Sequence, residues 1–124
     1  MPEGRLRVLV VEDEMLVAMN IEDMLLDLGH EVAGIASRLA PALALAEDAA
    51  IDAAMLDVNL AGESSFPVAD VLLGRGIPFF FATGYGLQGI EEPYRQHPVL
   101  QKPFRAGDLR DALAALPPGS APGA

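Results

Sequence analysis

The sequence predicts an α/β fold in which one parallel sheet is covered by helices on both faces. Five short β-rich runs recur along the chain, and each is separated from the next by a stretch long enough for a crossover helix. Most of these runs are continuously apolar, a pattern typical of strands that are buried on both faces. Because parallel strands need such crossovers, we expect the five runs to form a single parallel sheet.

The strands are predicted from these runs, and the helices from the apolar periodicity between them. In chain order, the strands are expected at residues 6–11, 32–36, 53–57, 77–82 and 99–101. The first helix is expected at residues 14–28, because its apolar side chains follow helical spacing and Gly29 is a typical helix stop. The second is expected at residues 39–49, with Pro41 near its start, where proline costs little.

Two further helices are predicted in the second half of the chain. One covers residues 66–75 and is closed by Gly74 and Gly76. The other ends at Pro117, and its apolar positions repeat at helical spacing, namely Leu109, Ala112, Leu113 and Leu116. Residues 87–97 allow only a short helix, because they contain glycines and Pro93, and we expect this segment to open at low free-energy cost.

The composition fits one folded domain without a membrane segment. The chain has 124 residues, 52% of them hydrophobic, which is enough for one core. No apolar run approaches the roughly 20 residues that a membrane-spanning helix needs, and we identify no secretory signal. The lack of cysteine excludes disulfides and agrees with a cytoplasmic protein. We predict one domain over residues 1–117 and a disordered Pro/Gly-rich tail over residues 118–124.

The formal net charge of −10 at pH 7 limits the partners that the chain can bind. Nucleic acid and anionic membrane surfaces attract clustered cations, and this chain has 8 Lys and Arg against 18 Asp and Glu. We therefore expect neither nucleic acid nor a membrane as a partner.

Reactive polar residues stand at the ends of four predicted strands. Glu12 and Asp13 follow the first strand, Asp57 ends the third, Thr83 follows the fourth and Lys102 follows the fifth. In an open parallel sheet, ligands bind in the crevice outside the carboxyl ends of the strands. Each residue alone is explained by helix-start, turn or loop chemistry, but their joint placement predicts one site built from several loops.

The residue types at this predicted site suit Mg²⁺ and a phosphoryl group. Mg²⁺ prefers oxygen ligands, and the sequence offers those of Glu12, Asp13, Asp57 and the main-chain carbonyl of Asn59. A divalent ion would neutralise the repulsion among the carboxylates and leave Asp57 as a nucleophile toward phosphorus. The Thr83 hydroxyl and the Lys102 ammonium would each contact an oxygen of the transferred group.

Four motifs give the chain a close resemblance to the receiver domains of two-component response regulators. The motifs are VLVVEDE, MLDVNLAGES, FFFATGYG and LQKPF, and the resemblance covers residues 5–116. It implies a flavodoxin-like three-layer α/β sandwich with a five-stranded parallel sheet of strand order 2-1-3-4-5. It also implies a stand-alone response regulator that signals by protein–protein interaction and is not an enzyme.

The resemblance assigns a role to each residue of the predicted site. Asp57 matches the aspartate that accepts the phosphoryl group from a sensor histidine kinase or a histidine phosphotransfer protein. Thr83 matches the switch hydroxyl, and Lys102 matches the lysine that contacts the phosphoryl group. The matches to the Mg²⁺-binding positions are Glu12, Asp13, Asp57 and the main-chain carbonyl of Asn59.

A finer resemblance concerns residues 78–86, with the sequence PFFFATGYG. They resemble the FAT GUY subgroup of single-domain receivers, which is often linked to kinases of the HWE type. Two positions depart from the family pattern. Val99 replaces an aromatic residue whose rotation commonly reports phosphorylation, and Ala61 replaces a common proline, which we expect to loosen its loop.

The bond from Lys102 to Pro103 is a candidate for a cis peptide.

Other interpretations are compatible with part of this pattern. A phosphate sink or a pseudo-receiver that only binds a partner would share the fold. A haloacid-dehalogenase-like phosphatase also uses a strand-terminal aspartate, but it places a second acid where this chain has Asn59. A flavodoxin would need a Gly-rich phosphate loop after the first strand, where Glu12 and Asp13 stand. His30 and His97 show no ligand spacing, so we expect packed or solvated histidines.

Overall fold

In the computed structural model, which describes residues 5–84, 90, 94 and 97–116, strands and helices alternate along most of the chain. The strands are Arg7–Val11 (β1), Glu31–Ala36 (β2), Ala53–Asp57 (β3), Asn59–Leu60 (β4), Glu63–Ser64 (β5), Phe79–Thr83 (β6) and Val99–Gln101 (β7). The helices are Met15–Asp27 (α1), Leu39–Asp48 (α2), Phe66–Arg75 (α3) and Ala106–Ala115 (α4). Apart from the short strands β4 and β5, each of these elements corresponds to a predicted one.

The main sheet has the predicted topology. Within the described residues, five parallel strands form it in the order β2-β1-β3-β6-β7. When the β4–β5 hairpin is left out of the count, this is the order 2-1-3-4-5, and the flavodoxin-like fold class is confirmed. Because β1 and β3 are neighbours, with Val11 opposite Leu56, the residues that follow these strands are brought side by side.

The central strands are buried on both faces, as their continuously apolar sequences predict. On one face of the sheet, Leu9 and Val11 of β1 join a core with residues of α2 and α3. On the other face, Val8 and Val10 join a core with residues of α1 and α4. Successive side chains of a strand point to opposite faces, so one strand supplies both cores. The result is a three-layer sandwich with the sheet between two helical layers.

The helix ends agree with the turn residues of the sequence. Gly29 follows α1 with a φ of 90°, and Gly76 ends α3 with a φ of 71°, in the left-handed region that glycine adopts without steric cost. The last helix begins at Ala106, ahead of the apolar repeat that predicted it. There, Asp108 accepts a hydrogen bond from the Arg105 amide at 2.9 Å, which caps the first turn.

Two sequence predictions fall largely outside the described residues. The segment 87–97 is described only at Ile90, Tyr94 and His97, and the tail 118–124 lies wholly outside. The domain boundary at residue 117 therefore stays a prediction. Among the helices of the described ranges, none has the length and apolar character needed to cross a membrane.

Candidate functional site

The carboxyl ends of β1, β3, β6 and β7 meet at one edge of the sheet, and each carries a predicted site residue. Asp57 is the last residue of β3 and Thr83 the last of β6. Glu12 directly follows β1, and Lys102 directly follows β7. The registers of the β3–β6 and β6–β7 pairs place these ends level with one another. The predicted convergence of these residues at one edge is confirmed.

Three carboxylates form the centre of this edge. Glu12, Asp13 and Asp57 each offer an oxygen, and these oxygens all lie within 4.8 Å of one another. Glu12 is fully buried and Asp57 is only 8% exposed, whereas Asp13 is partly exposed. The second oxygen of Glu12, Oε2, accepts a hydrogen bond from the Glu14 amide at 3.1 Å. Carboxylates buried this close together repel one another and require compensating positive charge.

The Lys102 ammonium supplies part of that charge. Its Nζ lies 2.6 Å from Oε1 of Glu12 and 3.4 Å from Oδ2 of Asp57. The Lys102 amide donates a hydrogen bond to the Thr83 carbonyl at 2.8 Å, which holds the lysine beside the end of β6. The peptide bond from Lys102 to Pro103 is cis, as predicted. Burial alone would lower the pKa of Lys102, but the hydrogen bond to Glu12 and the charge of Asp57 raise it overall.

The crowded carboxylates differ in their affinity for protons. Burial, a hydrogen bond with Asp13 and the charge of Glu12 raise the pKa of Asp57 to about 7, although Lys102 opposes this shift. Burial would also raise the pKa of Asp13, but hydrogen bonds from Asp57 and from the Ala61 amide outweigh it and lower that pKa. Among the protein's own groups, Asp57 is therefore the carboxylate that ionises with more difficulty, and Asp13 the one that ionises more readily.

The charge balance of the site fits a divalent cation. Three carboxylates face the single ammonium that the described residues place beside them, so ionised carboxylates leave an excess of negative charge. Mg²⁺ takes oxygen ligands and is usually held by one or two carboxylates together with water and phosphate oxygens. The acidic cluster of Glu12, Asp13 and Asp57 can therefore hold a metal ion.

The remaining predicted residues lie beside this cluster. Thr83 is buried at the end of β6, the strand next to that of Asp57. Asn59 begins β4, and its side-chain oxygen Oδ1 accepts a hydrogen bond from the Gly62 amide at 2.8 Å. The Asn59 side chain thus stabilises the β4–β5 hairpin through this hydrogen bond. The role of its main-chain carbonyl as a metal ligand stays a prediction.

One contact of the acidic cluster was missed by the sequence reasoning. The Ala61 amide donates a hydrogen bond to Oδ2 of Asp13 at 3.2 Å. Ala61 lies in the turn of the β4–β5 hairpin, and the expected loosening of this loop stays a prediction. The dipeptide Ala61–Gly62 was the only local indication of a turn. Tight hairpin turns favour Asn or Asp before glycine, so a turn with alanine at this position was not predicted.

An aromatic contact lies close to the missing switch position. Val99, which stands where an aromatic residue was expected, packs against the core from β7. The rings of Phe66 and Tyr94 stack with centroids 4.3 Å apart, and the Tyr94 hydroxyl donates to Asp70 at 2.7 Å. Phe81 of β6 meets the Tyr94 ring edge-on. Tyr94 therefore connects the segment 87–97 to both α3 and β6.

Both histidines were expected to be either packed or solvated, and both are packed against neighbouring residues. His30 Nδ1 accepts a hydrogen bond from the Leu6 amide at 3.0 Å. The His97 ring lies 4.6 Å from the ring of Phe79. Burial lowers the pKa of both histidines. Neither belongs to the acidic cluster.

The fold and the site define a flavodoxin-like α/β domain with a carboxylate cluster at its strand ends. No family model matches the chain. The chain is 31% identical over 111 residues to the transcriptional regulatory protein PdtaR of Mycobacterium tuberculosis, and this match covers 86% of the chain. It covers 54% of PdtaR, so the chain spans about half the length of this curated relative.

Two solved structures match this chain over nearly their whole length. SdrG from Sphingomonas melonis Fr1 is 48% identical with a TM-score of 0.81, and the match covers 91% of this chain and 97% of SdrG. The receiver domain of a sensor histidine kinase from Pseudomonas aeruginosa PAO1, which has a magnesium ion coordinated in its active-site cleft, is 29% identical with a TM-score of 0.76. That match covers 87% of this chain and 93% of the receiver domain. The chain belongs to the receiver-domain family of two-component response regulators, whose members are phosphoacceptors.

Proposed function

We propose that Asp57 accepts a phosphoryl group from a phosphohistidine of a sensor histidine kinase or a histidine phosphotransfer protein. The observation that carries this proposal is the position of Asp57, whose carboxylate ends β3 within reach of both Asp13 and Lys102. The resemblance of residues 78–86 to the FAT GUY subgroup favours a kinase of the HWE type. The proposed role is that of a phosphoacceptor, not of an enzyme acting on free substrates.

In the proposed transfer, a carboxylate oxygen of Asp57 attacks the phosphorus of the donor phosphohistidine. A P–O bond forms while the P–N bond breaks, and the electron pair of the P–N bond stays on the imidazole nitrogen. Asp57 must be ionised to attack, which its raised pKa opposes in the absence of a cation. Bound Mg²⁺ would supply positive charge that favours ionised Asp57 and offsets charge on the phosphoryl oxygens.

The proposed metal ligands are the three carboxylates of the acidic cluster and the main-chain carbonyl of Asn59. Mutual distances within 4.8 Å among the carboxylate oxygens support a shared ion. The magnesium in the Pseudomonas aeruginosa receiver domain supports the choice of metal. Carboxylate and carbonyl oxygens are hard ligands, which suit Mg²⁺ better than softer transition metals.

Lys102 and Thr83 are proposed to contact the phosphoryl group after transfer. Lys102 Nζ lies 3.4 Å from an oxygen of Asp57, and Thr83 ends the neighbouring strand. The phosphoryl group carries a charge of about −1.5 to −2, which attracts an ammonium and a hydroxyl donor. We propose that their movement changes the surface around β7 and α4, and that a protein partner binds this surface in one state only.

Phosphorylation by a small phosphodonor tests the proposal without knowledge of the kinase. The purified chain is incubated with phosphoramidate, whose P–N bond resembles that of phosphohistidine, and its intact mass is measured. We expect a gain of one phosphoryl group in Mg²⁺, none in EDTA, and none in Asp57→Asn. Asp48→Asn is the matched control, because Asp48 is exposed at the end of α2 and should leave labelling unchanged.

Three outcomes would contradict the proposal. Equal labelling of the wild type and Asp57→Asn would place the acceptor elsewhere. If no labelling occurs in Mg²⁺ and the chain binds a protein partner equally well with and without the phosphodonor, a pseudo-receiver would be favoured. Turnover of a generic phosphate ester would instead support the phosphatase interpretation, in which a second acid is expected at the position of Asn59.

A further inference from the structure

The hairpin that follows Asp57 turns through two residues with left-handed backbone conformations. Strands β4 and β5 pair antiparallel with Leu60 opposite Glu63, so Ala61 and Gly62 form a two-residue loop. Their φ angles are 53° and 94°. A two-residue hairpin loop with positive φ at both positions is the turn that matches the natural twist of paired strands. Glycine adopts this conformation freely, whereas alanine does so at a steric cost.

Packing does not explain why Ala61 accepts this cost. Its side chain is exposed, so no surrounding core forces the conformation. Within the described ranges, Ala61 is also the one non-glycine residue with positive φ. A residue held in an unfavourable conformation at the surface must be fixed by its backbone interactions.

One backbone hydrogen bond of this turn is directed at the proposed metal site, and a second lies within the hairpin. The Ala61 amide donates to Oδ2 of Asp13 at 3.2 Å, and the Gly62 amide donates to Oδ1 of Asn59 at 2.8 Å. The Asp13 carboxylate is a proposed metal ligand, whereas the Asn59 side chain is not, because Asn59 is proposed to bind the metal through its main-chain carbonyl. The first hydrogen bond joins two parts of the chain that are distant in sequence, because Asp13 follows β1 and Ala61 follows β4.

We propose that Ala61 is a positioning residue, whose amide orients the Asp13 carboxylate for the divalent cation. The amide takes one carboxylate oxygen as its acceptor, which leaves the other oxygen for the metal. A hydrogen bond to an ionised carboxylate also favours the charged form that a metal ligand must have. This inference rests on the proposed function, since it concerns the same metal site. Ala61 acts through Asp13 and does not contact the reacting atoms.

The test removes the amide hydrogen while keeping the side chain. Replacing Ala61 by its α-hydroxy analogue, lactic acid, converts the amide into an ester and deletes the donor. Ala61→Pro removes the same donor genetically, but proline cannot adopt a φ of 53° and the hairpin would have to rearrange. Ala61→Gly is the matched control, because it keeps the donor and relieves the steric cost.

Two readouts separate positioning from a merely structural role. Calorimetric Mg²⁺ titration should show a loss of affinity of roughly 10- to 100-fold for the ester, which is typical when a partner of a metal ligand is removed. Ala61→Gly should bind Mg²⁺ within about twofold of the wild type and be at least as stable. In NMR spectra, the amide proton of residue 61 should shift on Asp13→Asn, while the amide of exposed Ala44 in α2 should not.

The outcomes distinguish this inference from the function on which it rests. If the wild type binds Mg²⁺ and the ester binds it equally well, the positioning role is wrong and the metal site stands. If the wild type binds no Mg²⁺, both are wrong. A loss of affinity in Ala61→Gly equal to that of the ester would show that the side chain matters rather than the amide, and would also overturn the inference.

Discussion

The Lys102 ammonium lies 2.6 Å from a carboxylate oxygen of Glu12, and the Glu12 residue is fully buried. Among the protein's own groups, the lysine is therefore the counter-ion of an acid that has no access to water. A dication held by the acidic cluster brings positive charge to the same oxygens and competes with that role. Binding of the metal and the position of the lysine are thus coupled, and the coupling can be measured.

Lys102→Met is expected to strengthen Mg²⁺ binding and to weaken the fold in EDTA. Removal of one partner from a buried ion pair leaves an uncompensated charge and costs about 3 kcal/mol of unfolding free energy. The same change removes repulsion toward an incoming dication, so the Mg²⁺ dissociation constant should fall by roughly tenfold or more. Calorimetric titration and denaturant unfolding measure the two effects.

The control for this prediction is Arg110→Gln. Arg110 also pairs with a carboxylate, that of Asp111, but its side chain is 64% exposed, and exposed pairs contribute little. It should change neither Mg²⁺ affinity nor stability appreciably. Weaker Mg²⁺ binding by Lys102→Met would mean that the lysine helps to build the metal site rather than competing with the ion.

Asp57→Asn is expected to stabilise the protein in EDTA at pH 8 and to have little effect near pH 4. In the unfolded chain Asp57 ionises near its ordinary pKa of about 3.9, whereas in the folded chain its pKa is about 7. Between these values the folded state binds the extra proton, so its stability falls as pH rises. The ionised carboxylate should therefore cost roughly 2 to 4 kcal/mol at pH 8, which asparagine removes.

Denaturant unfolding at both pH values measures this difference. Saturating Mg²⁺ should reverse it, because the wild type then gains binding energy that the variant lacks. Asp48→Asn, which changes an exposed carboxylate, should show no such pH dependence. If the variant is less stable than the wild type at pH 8 in EDTA, the ionised Asp57 carboxylate does not destabilise the folded protein.

Much of this site was predictable because the topology of a parallel sheet places strand ends together. The apolar runs predicted the five strands of the sheet. Once the strands were known, the residues at their carboxyl ends were expected at one edge of the sheet. Asp57, Thr83 and Lys102 follow this rule directly. The sequence contains no comparable rule for which side chains pair within the edge, so the contact between Lys102 and Glu12 emerged only from the structure.

The hairpin and the aromatic stack could not be predicted for different reasons. Strands β4 and β5 have two residues each, too short for a periodic pattern, and alanine stands at a turn position that usually carries Asn or Asp. The stack of Phe66 on Tyr94 joins α3 to a segment whose glycines and proline give little helical signal. Long-range aromatic contacts depend on how layers pack, which local propensity does not encode.

Ser65→Ala is expected to leave stability unchanged or to raise it by up to about 1 kcal/mol. Ser65 occupies the N-cap position of α3, where a serine hydroxyl normally contributes about 1 kcal/mol. Here the hydroxyl is fully buried and finds no hydrogen-bond partner within the described ranges. Thermal unfolding measures the change, and a clear loss of stability would point to an ordered water or another partner for this oxygen.

His30→Gln is expected to reduce the loss of stability between pH 7 and pH 5. Burial lowers the pKa of His30, and its Nδ1 accepts the Leu6 amide hydrogen, so protonation removes that acceptor. The unfolded state binds more protons below pH 6.5, so this contribution is present above that pH and lost as pH falls. Measurement in an Asp57→Asn background keeps Asp57 from titrating in the same window. If the unfolding free energy of the variant depends on pH in the same way as that of its parent, His30 does not cause the loss of stability at low pH.

Asp57 is expected to become phosphorylated only in the presence of Mg²⁺. Borohydride reduces an aspartyl phosphate to homoserine, so treatment of the phosphoramidate-labelled chain followed by peptide mass spectrometry locates the modified residue. Our account predicts homoserine at position 57, only in samples labelled with Mg²⁺. Labelled protein with an unreduced Asp57, or with the phosphoryl group on His30, His97 or another carboxylate, would contradict it.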